Sequence, residues 1–209
     1  MDQGLAVSGR SIRARNRTAR WLTEVFQPPV VVTLQLLISP LAEKGFPGTI
    51  GYGALAALFV CVLPLLVLLV LVRLGKVTDH HVSDRKQRAP VLLMALGWIA
   101  AGLLVLAAVD APRSVTAMVL AVVGGVAVLA AVSPFWKMSG HAAAVSCAAV
   151  VSVVMLGAAW APLLLLVPAV SWSRVVLRAH SPAQVVAGSL FGAVVMAGIW
   201  WLLLGWLVQ

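Results

Sequence analysis

The sequence predicts an all-α membrane protein, a polytopic bundle of six to seven transmembrane helices. Of its 209 residues, 62% are hydrophobic and only 10% are charged, whereas a soluble domain is about half apolar and a quarter charged. Five runs without Asp, Glu, Lys or Arg reach the roughly 20 residues that a helix needs to cross a bilayer. Helices satisfy their own backbone hydrogen bonds in lipid, so short loops without alternating strands favour a closed helical bundle.

Two further stretches are ambiguous as membrane spans. Pro162–Ser173 is short, but it extends to Leu177 if Arg174 faces the interior of the bundle. Trp21–Leu41 carries Glu24, Gln27, Pro28 and Pro29, so it either spans the membrane or lies partly in the interface. The five charge-free runs are Ile50–Val72, Ala89–Val109, Ser114–Phe135, Ala142–Ala161 and Ala183–Val208.

The distribution of basic residues predicts the domain organisation and explains the formal net charge of +9. Five arginines precede the first apolar stretch, as expected for a cytoplasmic anchor. We therefore predict a basic cytoplasmic segment over residues 1–20 and a single membrane domain over residues 21–209. Contact with anionic lipids accounts for the remaining charge. Membrane lipids are the expected partners, and nucleic acid is not.

Three polar clusters lie at the ends of the apolar runs. Two spans separate the first cluster from the second, and two more separate the second from the third. Because an even number of crossings returns the chain to the same face, we predict that all three form one site. His80 and His81, in the first cluster, are predicted to be surface residues of a basic loop. The clusters are residues 76–90 with Arg85 and Arg88, residues 136–141 with Lys137, Ser139, Gly140 and His141, and residues 173–184 with Arg174, His180 and Gln184.

The combined clusters have the chemistry of a phosphate site. Arginine forks match phosphate oxygens, and lysine adds a point charge. A helix N-terminus offers free N–H groups, and Gly140 lets the backbone approach a ligand closely. One histidine can attack phosphorus while another protonates the leaving alkoxide. The sequence has no acidic cluster suited to Mg²⁺, which favours phosphoryl transfer without a metal or cofactor.

Two of these clusters resemble motifs of the type 2 phosphatidic acid phosphatase (PAP2) family, which also includes the vanadium haloperoxidases. Met-Ser-Gly-His resembles the second family motif, Pro-Ser-Gly-His, and Ser-Arg-(five residues)-His resembles the third. The resemblance covers roughly residues 76–184 and implies a PAP2-like membrane core. The matching residues are Ser139, Gly140 and His141 in the second motif, and Ser173, Arg174 and His180 in the third.

The sequence departs from the family pattern in two places. The first motif, Lys-x6-Arg-Pro, lacks its lysine, because no lysine lies seven positions before Arg85 or Arg88. Lys137 is a candidate to supply that charge. The aspartate that ends the third motif is replaced by Gln184, which can accept from a ring N–H but carries no negative charge. In a serine-protease triad the equivalent change costs about 10⁴ in kcat, so a slow enzyme or a pseudoenzyme is a second interpretation.

The same residues also have purely structural interpretations. Ser181 and Gln184 have the spacing of a capping box, which would occupy Gln184 at the helix start. Ser139 has the position of a simple N-cap. Lys137 and Arg174 could be topology charges whose long side chains reach the interface.

The resemblance and the residue chemistry together imply a lipid-phosphate phosphatase with a phosphohistidine intermediate. His180 is the expected nucleophile, His141 the acid and then the base, and Gln184 the orienting group. Phosphatidic acid, phosphatidylglycerophosphate and polyprenyl phosphates or diphosphates are the candidate substrates. The alternative is a catalytically weak or inactive PAP2-like protein that binds or transports lipid phosphates. The expected phosphate ligands are Arg85, Arg88, Lys137, Ser139, Gly140 and Arg174.

The face on which the site lies depends on Trp21–Leu41. If this stretch spans, the chain crosses seven times, and 13 of the 15 Lys and Arg residues are cytoplasmic, with Lys44 and Arg113 outside. If it does not, six crossings leave the basic loops outside. The positive-inside rule favours the first arrangement. We therefore expect a cytoplasmic site in a bacterial plasma membrane, unlike the outward-facing site usual in the family.

Overall fold

The computed structural model describes residues 2–43, 50–82 and 84–207, without the side chains of residues 2–12, 85 and 207. Within these ranges the chain is helical apart from short connections and contains no strand, as predicted. The helices are α1 (Asp2–Val25), α2 (Pro28–Ile38), α3 (Ile50–Arg73), α4 (Arg85–Ala108), α5 (Arg113–Val132), α6 (Gly140–Leu156), α7 (Ala158–Val176) and α8 (Pro182–Trp206).

Five of these helices, α3, α4, α5, α7 and α8, are long and apolar enough to cross a membrane. Helix α6 is also apolar but has 17 residues. Large aliphatic side chains face outward, among them Leu104 and Leu165, which are 74% and 72% exposed. An extensive apolar exterior of this kind indicates a surface that faces lipid. The predicted polytopic helical bundle is therefore confirmed.

One predicted helix boundary is wrong. The charge-free run Ala142–Ala161 is divided at Gly157, whose φ of 94° lies in a region that glycine adopts without steric cost. Helix α6 ends just before this residue, and the following residues open α7 with 3-10 geometry. The stretch Pro162–Ser173 was expected to extend toward Leu177 if Arg174 faced the interior of the bundle. This extension is confirmed, because Arg174 is buried and α7 continues past it.

The first apolar stretch is bent rather than straight. The segments Arg13–Val25 and Pro28–Ala42 meet at 42°, and only together are they long and apolar enough to cross a membrane. Pro28 and Pro29 open α2, because proline fits the first turn of a helix, where its missing N–H has no intrahelical partner. The same prolines prevent α1 from continuing.

The chain between Thr23 and Glu43 runs the length of the bundle, as hydrogen bonds at the two ends of this segment show. Thr23 Oγ1 lies 3.2 Å from Ser173 Oγ in the last turns of α7. Glu43 Oε2 accepts the Ser114 N–H at 3.3 Å, at the start of α5. The start of α5 and the end of α7 lie at opposite ends of the bundle, because three helices, α5, α6 and α7, connect them. The chain therefore passes from one end of the bundle to the other between Thr23 and Glu43.

Helices α6 and α8 pack closely because glycines remove the side chains at their contact. A Cβ atom on Gly188 would lie 2.5 Å from the carbonyl oxygen of Ser139, and one on Gly192 would overlap the carbonyl of Ala143. Both carbonyls belong to the beginning of α6. The close approach fixes this helix terminus, and His141 with it, beside the start of α8.

Candidate phosphate-binding site

The three polar clusters meet at one end of the bundle around a pocket of about 250 Å³. The three clusters were predicted to share a face because even numbers of spans separate them, and the structure brings them together as predicted. The rest of the wall is mainly aliphatic and comes largely from α3, α4 and α5. The polar residues that line the pocket are Gln27, His80, His81, Arg88, Lys137, His141, Arg174 and His180, together with Gly140.

Two arginines enter this pocket with part of each guanidinium unpaired. Arg88 Nη2 donates to the Met138 carbonyl at 3.3 Å, and Arg174 Nη1 donates to Thr23 Oγ1 at 3.3 Å. Arg88 Nη1 and Arg174 Nε are buried and have no hydrogen-bond partner among the described residues. A buried donor without a partner costs about 1–3 kcal/mol, and more when it is charged. Both arginines line the pocket, so an anion bound there would compensate their positive charge.

The backbone fixes the ring of His180 in the turn between α7 and α8. Its Nδ1 lies 3.1 Å from the carbonyl oxygen of Lys137. A carbonyl can only accept, so Nδ1 carries the proton and Nε2 of the neutral ring has a free lone pair. Burial lowers the pKa of His180 to about 4, with contributions from Arg174, Lys137 and Arg88. The ring is therefore neutral at pH 7, and its Nε2 is in the form that a nucleophile requires.

The N-terminus of α6 lies against the pocket through Gly140. Ser139 is the N-cap, and its Oγ accepts the Ala142 N–H at 3.4 Å. Its own N–H donates to the Gln184 carbonyl at 3.2 Å. Ser139 is fully buried and does not line the pocket, so these contacts match the capping interpretation, and phosphate binding by its hydroxyl stays a prediction. The free N–H groups of the first helical turn favour an anion at this position.

His141 is buried on α6, and its Nε2 has no hydrogen-bond partner among the described residues. His81 faces it, with ring centroids 5.6 Å apart and an interplanar angle of 61°. The prediction that His81 is a surface residue is wrong, because its side chain is only 21% exposed and lines the pocket. His80 is exposed, as predicted.

Sequence reasoning missed His81 because its position depends on distant contacts. Its Nε2 lies 3.0 Å from Glu24 Oε1 on α1, far away in the chain. A local signal was present in Asp79, whose Oδ1 accepts the His81 N–H at 2.8 Å. An aspartate that accepts from the backbone two residues later is typical of a tight turn, and this turn directs His81 toward the pocket.

Lys137 and Arg85 are the two remaining predicted ligands, and the structure describes the side chain of Lys137 only. Lys137 lines the pocket, and burial together with Arg88 and Arg174 lowers its pKa. The residue thus contributes a cation through its side chain and orients His180 through its carbonyl. Arg85 is the first residue of α4, but its side chain lies outside the described part of the chain, so its phosphate contact stays a prediction.

The predicted contact between Gln184 and the ring of His180 is not found. Gln184 Oε1 accepts the Ser181 N–H at 3.1 Å, and the Gln184 N–H donates to Ser181 Oγ at 3.3 Å. These two bonds complete a capping box at the start of α8. The Lys137 carbonyl holds His180 Nδ1 instead. A carbonyl selects the same tautomer as a carboxylate would, but it adds no negative charge.

The model of the PAP2 superfamily matches residues 94–206, just over half of the chain, and includes the second and third polar clusters. The chain belongs to the PAP2 superfamily. No match was found among curated proteins or among solved structures. The PAP2 match begins after Arg88, so the region in which the first-motif lysine is missing lies outside it. Membership in the PAP2 superfamily supports a phosphatase-type function.

Replacing Gln184 with alanine should lower stability without slowing catalysis. The substitution removes one half of the capping box, and caps contribute about 0.5–2 kcal/mol. We expect a lower Tm in detergent and a kcat within about threefold of the wild type, which is less than 1 kcal/mol in the barrier. Gln184→Glu keeps an acceptor at the same position and is the matched control for Tm. A large fall in kcat at unchanged Tm would instead assign Gln184 to catalysis.

Proposed function

We propose that this PAP2 protein is a metal-independent lipid-phosphate phosphatase that works through a phosphohistidine. One observation carries the proposal. Arg88 Nη1, Arg174 Nε and His141 Nε2 are buried without hydrogen-bond partners among the described residues, and all three residues line the pocket that also contains the neutral ring of His180. A phosphate group matches the two guanidinium donors. A neutral histidine beside that phosphate favours phosphoryl transfer over simple binding.

In the first step, the phosphate group passes from the lipid to histidine. Arg88, Lys137 and Arg174 hold its oxygens at the N-terminus of α6. His180 Nε2 attacks phosphorus in line, and the bond between phosphorus and the lipid oxygen breaks. His141, doubly protonated when the phosphate group is bound, transfers a proton from its ring nitrogen to that leaving oxygen. The fixed positive charges stabilise the transferring oxygens in the transition state.

In the second step, water removes the phosphoryl group. His141, which has lost its proton, takes one from a water molecule as that water attacks phosphorus. The bond between phosphorus and nitrogen breaks, and its electron pair returns to His180 Nε2. Orthophosphate leaves, and both histidines are restored for another turnover.

The apolar part of the pocket supports a lipid as the substrate. Aliphatic side chains line it beside the polar residues, including Leu68 on α3, Ile99 on α4 and Val122 on α5. Placing a hydrocarbon chain against them removes apolar surface from water. The proposed substrates are therefore phosphomonoesters or diphosphates of lipids, of the phosphatidic acid, phosphatidylglycerophosphate or polyprenyl phosphate type.

The purified protein should release phosphate from a lipid phosphomonoester in the presence of EDTA, and His180→Ala should abolish this release because the nucleophile is lost. The measurement is a phosphate-release screen over lipid phosphates in detergent, with thermal unfolding to show that both proteins are folded. Arg178→Asn is the matched control, because Arg178 is exposed in the same turn and asparagine tolerates its φ of 54°.

Two results would contradict this function. Full activity in His180→Ala would end the phosphohistidine mechanism. Saturable binding of lipid phosphates to the wild type, without release from any of them, would favour the binding or transport protein.

We propose further that the site faces the cytoplasm. Thr23 and Glu24, at the end of α1, contact Arg174 and His81 of the site. The five arginines at positions 10–20 precede these contacts on the same helix, and such a basic segment does not enter the hydrocarbon core. The arginines and the site then share a face, which the positive-inside rule assigns to the cytoplasm.

Cysteine labelling tests this orientation. In a background without Cys61 and Cys147, a cysteine in place of the exposed Lys86 should resist a membrane-impermeant thiol reagent in intact cells and react after permeabilisation. Val109→Cys is the matched control, because Val109 is 43% exposed at the opposite end of α4, and it should react in intact cells. The reverse pattern would place the site outside.

A further inference from the structure

We propose that Glu24, His80 and His81 form a binding site for a divalent transition metal, with Zn²⁺ the best fit, at the mouth of the phosphate pocket. His80 and His81 line this pocket, but the phosphatase mechanism does not use the three residues as a metal centre. The site is thus independent of the proposed function. The sequence pattern alone does not bring these residues together, because Glu24 is distant in the chain from both histidines.

The ligand atoms already have the spacing of a metal site. Glu24 Oε1 lies 3.0 Å from His81 Nε2, and Glu24 Oε2 lies 3.8 Å from His80 Nε2. One ligand atom from each of the three residues lies within 4.8 Å of the others. In tetrahedral zinc sites with bonds of about 2.0–2.1 Å, neighbouring ligand atoms are about 3.3 Å apart. The two distances to the Glu24 carboxylate, one to each oxygen, lie on both sides of this value.

The two elements that supply these ligands are each anchored near the site. The loop that carries the histidines is tied by the bond from the His81 N–H to Asp79 Oδ1 and by the burial of Val77 and Val82 against Leu68. The neighbour of Glu24 on α1, Thr23, is held by Arg174 and Ser173. The three ligands are therefore positioned before any metal arrives, which reduces the entropic cost of binding.

The ligand types select the class of metal. Two imidazoles and one carboxylate suit Zn²⁺ and similar transition metals, whereas Mg²⁺ and Ca²⁺ prefer oxygen ligands alone. Imidazole binds a metal through the lone pair of a neutral ring nitrogen, and Nε2 of both histidines is directed at Glu24. On binding, the His81 proton that faces Glu24 moves to Nδ1, and Nε2 becomes the metal ligand. The side chains of Glu24 and His80 are 54% and 41% exposed, so water can complete the coordination.

The surrounding charge makes Glu24 the decisive ligand. Arg174 lines the same pocket as His80 and His81, so its positive charge opposes a metal cation at this position. The carboxylate of Glu24 supplies the compensating negative charge. Two histidines without it should not retain the metal. Because Glu24 belongs to α1 and the histidines to the loop before α4, a bound ion would fasten these two elements together.

The experiment uses the full-length protein in detergent, free of metal and without a polyhistidine tag. Zn²⁺ is titrated against a chromophoric chelator, and Tm is measured with and without the ion. We expect one Zn²⁺ per chain, a higher Tm because only the folded state binds the ion, and no comparable effect of Mg²⁺. Glu24→Gln and His80→Ala should each weaken Zn²⁺ binding at least tenfold. Both positions are exposed, and the metal-free Tm shows whether each variant is folded.

His180→Ala is the matched control, because it removes a histidine from the pocket but not from the metal site. It should bind Zn²⁺ like the wild type. Loss of binding in His180→Ala together with full binding in His80→Ala would locate the ion in the phosphate pocket and overturn the proposal. Absence of saturable binding to the wild type would overturn it as well.

Discussion

Buried polar atoms without a protein partner are the constraint on which the rest of this structure depends. Arg88 Nη1, Arg174 Nε and His141 Nε2 find no partner within the described part of the chain, at the end of an apolar bundle, where an uncompensated charge interacts strongly because the local dielectric constant is low. An anion removes that penalty. The same burial and the same cations lower the pKa of His180 to about 4. One physical feature therefore favours phosphate in the pocket and keeps the proposed nucleophile unprotonated.

The backbone supplies the precision that this chemistry requires. Glycines at 188 and 192 let α8 approach the first turns of α6, and the N–H of Ser139 donates to the carbonyl of Gln184 between the two helices. His180 is oriented by the carbonyl of Lys137. Backbone groups vary less in position than long side chains, so they fix the geometry between the two histidines at little entropic cost.

Sequence patterns predicted the helices and the meeting of the clusters because both follow from simple rules. Hydropathy decides which runs can lie in lipid, and the parity of crossings decides which ends share a face. The same rules could not separate two roles of Gln184, because a capping residue and an orienting residue have the same position relative to Ser181. They could not find His81 either, because its partner on α1 is brought near only by tertiary packing. The contact between His180 and the Lys137 carbonyl could not be predicted either, since every residue has a backbone carbonyl and the sequence does not single one out.

The central claim is that His180 carries the phosphoryl group, and trapping the intermediate tests it most directly. The protein is mixed with a phosphorus-labelled lipid phosphate, quenched within one turnover in alkaline denaturant and digested, and the label is located by mass spectrometry. The account predicts label on His180 that is stable in alkali and lost in acid, as expected for phosphohistidine. Phosphate release by a protein that shows no label on His180, or label on another residue that turns over at the same rate, would contradict the account.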